Sequence, residues 1–236
     1  MINIRDLKKN YGNQVVLDGI DVEIPRGETL ALLGSSGSGK STLLRCINRL
    51  EIADSGQIFF EGEEITAESV DRVREKVGMV FQNFHLFLNM RVIENLTYAP
   101  ERVKGMSSAA SLEKAQVLLS KVGLEKKAFS YPEKLSGGEK QRVAIARTLM
   151  MDPEVILFDE PTSSLDPEMV QEVLRVIKSL ASTGITILIV THEMNFVKDV
   201  ATRVLFLDHG VILEDQKTRD FFEGHSKERI AQFLNR

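Results

Sequence analysis

The sequence predicts an α/β protein: a mainly parallel sheet with helices, an N-terminal antiparallel β subdomain and an inserted α-helical subdomain. Three observations predict it. A buried strand, Thr29–Leu33, runs into the glycine-rich turn GSSGSGKST at Gly34–Thr42 and then into a helical pattern, the corner at which backbone amides cradle an anion. From Val155 onward, strand-length apolar runs alternate with amphipathic helical ones, the pattern of parallel βα units. Between these regions, about 83–152 reads as helix.

The elements follow in order. Ile2–Ile4, Val15–Leu17 and Val22–Ile24 read as short strands, and Gln57–Phe60 opens a hairpin with Glu61–Gly62 as its turn. From Ser41, Leu43, Leu44, Ile47 and Leu50 share one helical face, which puts Lys40 at the strand-to-helix corner. Val77–Phe81 is another strand. In the helical segment Ser107 and Ser108 offer N-caps, Leu112, Ala115, Leu119 and Val122 an apolar stripe, and Gly123 a stop. The strand Val155–Phe158 precedes a helix over Pro167–Thr183 that Gly184 ends. The strand Ile185–Val190, a helix from about Glu193 and the strand Val204–Leu207 follow. Asp208–Gly210 turns the chain into Val211–Leu213, and a tail helix carries Ile230, Phe233 and Leu234 on one side. With no repeat, low-complexity segment or linker, the chain reads as a single domain, its core and β subdomain at 1–82 and 153–236 and its helical subdomain at 83–152.

Composition narrows the function classes. A chain of 236 residues, 43% of them hydrophobic, can bury a substantial core. Its longest apolar runs, ILIV and VILF, are strand-length, far short of the roughly 20 residues that span a bilayer. The N-terminal MINIRDLKKNYG lacks the apolar core of a secretion signal, so the expected location is the cytoplasm. A net charge of −4 argues against a nucleic-acid partner. Cys46, the single cysteine, excludes an internal disulfide and a cysteine-rich metal site and falls on a buried helix face.

Two motifs carry the chemistry. Gly34, Gly39, Lys40 and Ser41 match G-x-x-x-x-G-K-[ST], and Ser35, Ser36, Gly37, Ser38 and Thr42 complete a loop small enough to wrap a phosphate while Lys40 opposes its charge. Alone, this denotes a nucleotide. In LSGGEKQR, Ser136, Gly137 and Gly138 precede the amphipathic VAIARTLM, so a hydroxyl and amides gather where orphan N–H groups and the helix dipole favour a second anion. Two anion sites in one chain suit a nucleotide held between two chains. In VILFDEP, Asp159 and Glu160 end a buried strand, where α/β sheets present ligands. Asp159 would hold the shell of a Mg²⁺ ion, to which Ser41 adds a hydroxyl, and Glu160 would polarise the water that attacks the γ-phosphate of ATP. Gln82 and His192 also follow apolar strands. Each is either a polar strand end or a group that reaches the metal, the water or the γ-phosphate. Tyr11 has an aromatic face suited to stacking on adenine. Asp166 suits both an N-cap for the helix begun by Pro167 and a signal across a dimer.

Lys40, Gln82, Ser136, Glu160, Asp166 and His192, in this order, resemble the ATP-binding-cassette (ABC) ATPases along nearly the whole chain. The resemblance implies the P-loop NTPase core of that fold and a homodimer formed on ATP binding. Its two chains pack head to tail, so that each ATP lies between Lys40 of one chain and, in trans, Ser136, Gly137 and Gly138 of the other. Hydrolysis reopens the dimer. Two transmembrane permease subunits and, indirectly, a solute-binding protein are the implied partners, with the chain peripheral on the cytoplasmic face of the membrane. In NFHLFLNMRVIENLTYAP the apolar Phe84, Leu86, Phe87, Leu88 and Met90 divide between the helical core and a groove for a permease helix.

The stretches LLRCINRLEIADSGQIFFEG and VGMVFQNFHLFLNMRVIENLTYAP are similar to the polar amino-acid branch of prokaryotic ABC importers. The alternative is an ATPase of a lipoprotein-release or cell-division complex. The long coiled-coil insertions of DNA-acting ABC proteins and the paired cassettes of ribosomal ones are not present. Leu88 replaces a common proline, Glu139 and Lys140 replace glutamines, Ser164 replaces an alanine, and EDQKTRDFFEG lacks an expected glycine. None of these removes a group on ATP or magnesium; they bear on the partner and the solute.

Overall fold

The computed structural model describes residues 1–224 and 228–234. In chain order its elements are β1 (Ile2–Tyr11), β2 (Gln14–Ile24), β3 (Thr29–Gly34), α1 (Lys40–Ile47), β4 (Ser55–Phe60), β5 (Glu63–Glu64), α2 (Val70–Lys76) and β6 (Val77–Val80). Next come α3 (Val92–Val103), α4 (Ser108–Lys121), α5 (Gly137–Leu149), β7 (Val155–Asp159), α6 (Pro167–Ala181) and β8 (Thr186–Val190). The chain continues through α7 (Met194–Val200), β9 (Arg203–Asp208), β10 (Val211–Lys217), α8 (Thr218–Glu223) and α9 (Glu228–Leu234). Its internal contacts define two compact units, Met1–Arg74 with Gly184–Arg236, and Glu75–Thr183.

The first unit holds an antiparallel sheet in the order β2-β1-β4-β5. Residues Val15–Leu17 and Val22–Ile24, expected as separate strands, are one strand, β2. The break in pattern falls where the register against β1 shifts, between Ile4 and Leu7 and again between Leu7 and Lys9, opposite Gly19. Asp6 takes a left-handed φ of 42° and donates its N–H to Asp21 Oδ1 at 3.0 Å instead of to the ladder. Glu61 and Gly62 have φ of 54° and 84°, the pair of positive angles that a two-residue type I′ hairpin demands. A second sheet in this unit runs β10-β9-β3-β8, with β3 parallel to β8 and β9, and β10 antiparallel to β9. Every residue of β3 and β8 is buried, which is why both read as continuous apolar runs.

Leu50 does not join the buried face of α1. The helix closes early, with Arg49 at φ 50° and the Leu50 N–H returned to Arg45 O at 2.8 Å, a left-handed C-terminal cap that leaves Leu50 46% exposed. Cys46 is buried as expected, and burial pushes its thiol up to about 12, far from reactive. The short helices α2 and α8 have no counterpart in the sequence reading.

The second unit joins the parallel pair β6 and β7 to α3, α4, α5 and α6, and contains the whole 83–152 segment. Its core packs Val92, Ile93 and Leu96 of α3 against Ala115, Leu118 and Leu119 of α4 and Val143, Ala144 and Ala146 of α5. Ser107 caps α4 by accepting the Ala110 N–H at 3.3 Å, and Gly123 ends the helix at φ 70°. Of the expected stripe, Ala115, Leu119 and Val122 are buried, but Leu112 is 43% exposed and Leu118 faces the core instead. The i, i+3 spacing from Leu112 to Ala115 places Leu112 at the rim of that face.

Asn95, 1% exposed on α3, organises the loop before it. Its Oδ1 accepts the Phe87 N–H at 2.8 Å, and its Nδ2 lies within 3.1 Å of the carbonyls of Phe87, Met90 and Arg91. Arg147 donates to the His85 and Phe84 carbonyls at 2.7 and 3.2 Å and stacks on the Phe87 ring. Asn95→Ala strands buried donors and acceptors and should destabilise the protein by about 2–4 kcal/mol. Urea denaturation measures the loss, and hydrogen exchange should rise first at residues 86–91.

Candidate nucleotide-binding and hydrolysis site

The phosphate loop lies between β3 and α1 of the first unit, held by backbone approaches that only glycine permits. A Cβ on Gly34, at φ 145°, would sit 2.0 Å from Leu207 O on β9, and one on Gly39, at φ 103°, 2.5 Å from Val16 O on β2. Between them Gly37 takes φ 78° and the Ser38 N–H closes a turn onto Ser35 O at 3.2 Å. Gly39 occupies the N-cap of α1 without a side-chain cap, so the first turn offers its N–H groups to an anion. Lys40 is buried, and its ammonium donates to Gly34 O at 3.0 Å, Ser35 O at 2.7 Å and Ser38 Oγ at 3.4 Å. Ser41 and Thr42 follow in that first turn, and Ser36 is exposed on the loop.

The register of β3 with its neighbours brings other groups to the same edge. Leu32 pairs with Val190 and Gly34 with Leu207, so His192, exposed beyond β8, and Asp208, buried at the end of β9, both leave the carboxyl ends of the strands. Tyr11 ends β1, with the Lys9 ammonium 5.1 Å from its ring centroid. Partial burial, and next a hydrogen bond to Glu51, raise its phenol pKa, while a hydrogen bond to Thr42 opposes them. That contact places the ring beside the first turn of α1.

In the second unit, β6 and β7 are parallel with Val80 opposite Phe158, so Gln82 and the Asp159–Glu160 pair emerge at one edge. Asp159 is 3% exposed at the end of a fully buried strand. Glu160 adopts a left-handed φ of 48°, and its carbonyl accepts the Ser163 N–H and hydroxyl at 3.3 and 3.1 Å. A non-glycine residue in this region is strained and held by its surroundings. Ser164 donates to the Gln82 carbonyl at 3.2 Å and so ties the two ends together. Asp166 stands at the N-cap of α6 with Pro167 first in the helix, but its side chain makes no capping hydrogen bond. The cap expected of its carboxylate is a backbone position only.

Ser136 is the N-cap of α5. Its hydroxyl accepts the Glu139 N–H at 3.2 Å and its own N–H donates to Glu139 Oε2 at 2.9 Å, a reciprocal capping box. Glu139 thus stands for the usual glutamine without loss of the cap. Burial raises its pKa, yet the Ser136 N–H, Lys127 at 3.1 Å and Arg142 together hold it below the usual carboxylate range. Gly137 and Gly138 have an intrachain reason as well: added Cβ atoms would meet Leu165 Cδ2 and Met169 Cβ, each at 2.9 Å. The Gly138 N–H reaches Met169 Sδ at 3.3 Å. The start of α5 is therefore packed on the segment that carries Asp166.

Tyr11, Gly34–Thr42 and His192 belong to the first unit, and Gln82, Ser136–Gly138, Asp159, Glu160 and Asp166 to the second. Asn95 did not stand out in the sequence, Ser164 did so only as a departure from the resembling family, and Asp208 only as the start of a turn. For Asp208 a further signal was present, a carboxylate directly after the apolar VLFL. Of the apolar residues after Gln82, Leu86 is buried and Phe84 packs on the helical core, whereas Phe87 is exposed with Tyr98 edge-on against it and Leu88 is 72% exposed. No helix among the described residues is long and apolar enough to cross a membrane.

Comparison with known proteins agrees with this arrangement. Residues 17–163 match the model of the ABC transporter family. The chain is 53% identical to the arginine transport ATP-binding protein ArtM of Bacillus subtilis (strain 168), over all of this chain and 99% of that one. It is 49% identical to the glutamine transport ATP-binding protein GlnQ of the same organism, over all of this chain and 98% of that one. Among solved structures, the dimeric ATP-binding cassette MJ0796 bound to ADP and Pi matches with a TM-score of 0.83 and 31% identity, over 93% of this chain and 99% of that one. With the phosphate loop, the strand-end carboxylates and the serine-capped α5 all in place, the chain belongs to the ABC transporter family and is an ATP-binding cassette ATPase.

Proposed function

We propose that the chain is the ATP-hydrolysing subunit of an importer for a polar amino acid. It works as an ATP-closed homodimer on the cytoplasmic face of the membrane, with two permease subunits and, through them, a solute-binding protein. The observation that carries this reading is the full-length likeness to ATP-binding proteins of arginine and glutamine transport. The exposed Phe87, Leu88 and Tyr98 support it, as an apolar patch on a subunit that must pass its motion to another protein. A test is co-expression with permease subunits in vesicles, followed by ATP-dependent uptake of radiolabelled arginine, glutamine or histidine.

In this reading the amides of Gly34–Thr42 and the Lys40 ammonium take the β- and γ-phosphates and Tyr11 stacks on adenine. Glu160 polarises the attacking water, with His192 and Gln82 orienting it. Ser136, Gly137 and Gly138 receive the γ-phosphate held by the other copy, and Asp166 carries the signal across the dimer. The helical subdomain at 83–152 would then swing as the part that bears Ser136. Magnesium fits the donors: Ser41, Gln82 and Asp159 offer a hydroxyl, an amide and a carboxylate, all hard oxygens. Among the described residues no three His, Cys, Asp or Glu side chains converge to cage a metal. When bound, magnesium would share its coordination with phosphate and water and supply charge neutralisation there.

Glu160→Gln keeps the shape of the side chain and removes its charge, so hydrolysis should fall at least about 100-fold while ATP binding survives. Sizing chromatography with ATP should then show a stable dimer where the wild type is mainly monomeric; a monomer, or near-normal turnover, refutes the role. Ser136→Arg should leave ATP affinity of the monomer within about twofold but block closure, whereas Lys40→Ala should weaken binding itself. Titration with a fluorescent ATP analogue compares them, and equal losses would place Ser136 in the same-chain pocket. Leu88→Glu would bury an unpaired charge at the permease contact. Basal ATPase of the isolated subunit should persist while pull-down with the permease and uptake are lost, and normal assembly would remove Leu88 from the interface.

A further inference from the structure

The tail helix α9 touches the phosphate loop through a buried carboxylate. Arg229, in the first turn of α9, donates from Nε to Asp208 Oδ2 at 2.8 Å and from Nη2 to Asp208 Oδ1 at 3.3 Å. The same Oδ1 accepts the Ser35 hydroxyl at 2.7 Å. The Asp208 side chain is only 4% exposed, so its charge is balanced by Arg229, a two-pronged pairing that lysine reproduces only in part. His209, 3.7 Å away, is largely exposed and adds little. The helix is seated independently of this pair: Ile230 is fully buried, and the Phe233 ring meets Phe206 of β9 edge-on at 5.1 Å. A cavity of about 10 Å³ lined by Ser35, Phe206, Arg229, Gln232 and Phe233 is all that separates loop from helix, room for one water at most.

The Asp208 turn also braces both ends of the loop. Gly34 rests on Leu207 O, immediately before Asp208. Gly210, immediately after the turn, rests on Val16, as Gly39 does at the far end of the loop. The Asp18 N–H donates to Gly210 O at 2.9 Å and fastens the turn to β2. Asp208 thus lies between Leu207, whose backbone borders the loop at Gly34, and Gly210, which meets Val16 as Gly39 does.

We propose that Arg229 is a positioning residue for nucleotide binding, acting through Asp208 on the Ser35 hydroxyl and the phosphate loop, so that the tail helix sets the affinity of the loop for ATP. The inference rests on the reading of that loop as the ATP site. A merely structural tail would change stability; a positioning tail changes KM.

The test uses the full-length chain and a double-mutant cycle over Arg229→Ala and Ser35→Ala, measured as the KM for ATP, kcat and the affinity for a fluorescent ATP analogue, with melting temperatures alongside. Arg229→Ala should raise KM and weaken analogue binding about 5- to 10-fold with kcat within twofold. Arg229→Lys should recover most of the loss. In the Ser35→Ala background, Arg229→Ala should add less than twofold. Multiplicative losses in the double variant, or an unchanged KM in a folded Arg229→Ala protein, overturn the proposal. If Arg229→Ala does not fold, Arg229→Lys decides alone: a KM raised by two- to threefold at unchanged kcat supports the proposal, and a wild-type KM overturns it. A wild type that fails to bind the analogue would instead refute the ATP site itself.

Discussion

The structure depends on the approach of two backbone segments to the phosphate loop at distances that exclude any side chain. Gly34 lies against Leu207 O and Gly39 against Val16 O, so the loop is clamped between β9 of one sheet and β2 of the other within the first unit. Its shape is therefore a product of tertiary packing rather than of local flexibility. A loop shaped this way presents its amides without further ordering when an anion arrives, which is the condition for tight phosphate binding by so few residues. The antiparallel sheet contributes one wall of this clamp through Val16 of β2.

Charge is handled by the same economy. Lys40 is buried and satisfied by three oxygens of its own loop, so its desolvation is offset before any phosphate approaches. In the second unit Glu139 carries a negative charge into the first turn of α5, where the helix dipole and two cations stabilise it. In the capping box the Ser136 hydroxyl oxygen accepts from the helix, and in the proposed dimer its proton would be donated to a phosphate oxygen.

Much of this was legible in the sequence, for physical reasons. The loop motif, the strand-end acids and the Ser136 cap are local patterns in which residue type and position together state the chemistry, and β3, β7 and β8 announced themselves as uninterrupted apolar runs. The failures lie where tertiary context overrides pattern. Leu50 kept its helical spacing but left α1 because Arg49 turned left-handed, and β2 looked broken because Asp6 and Gly19 absorb a bulge. Asp166 has the right residue for a cap yet makes none. Asp208 works through Ser35, far away in the chain, and Asn95 through main-chain groups of the loop before it; neither residue type states such partners by itself.

The loop that displays Phe87 and Leu88 is unlike an ordinary surface loop. Asn95 fastens it from beneath and Arg147 from the side, so its conformation is set before contact with anything else. An ordered loop has little backbone entropy left to surrender on docking. If the proposed permease contact forms here, its free energy would report on how well an incoming side chain fits between the exposed Phe87, Leu88 and Tyr98. At the permease contact proposed above, such a surface would act as a gauge: a misfit of a single methyl group on either side would register in full, because no loop movement absorbs it.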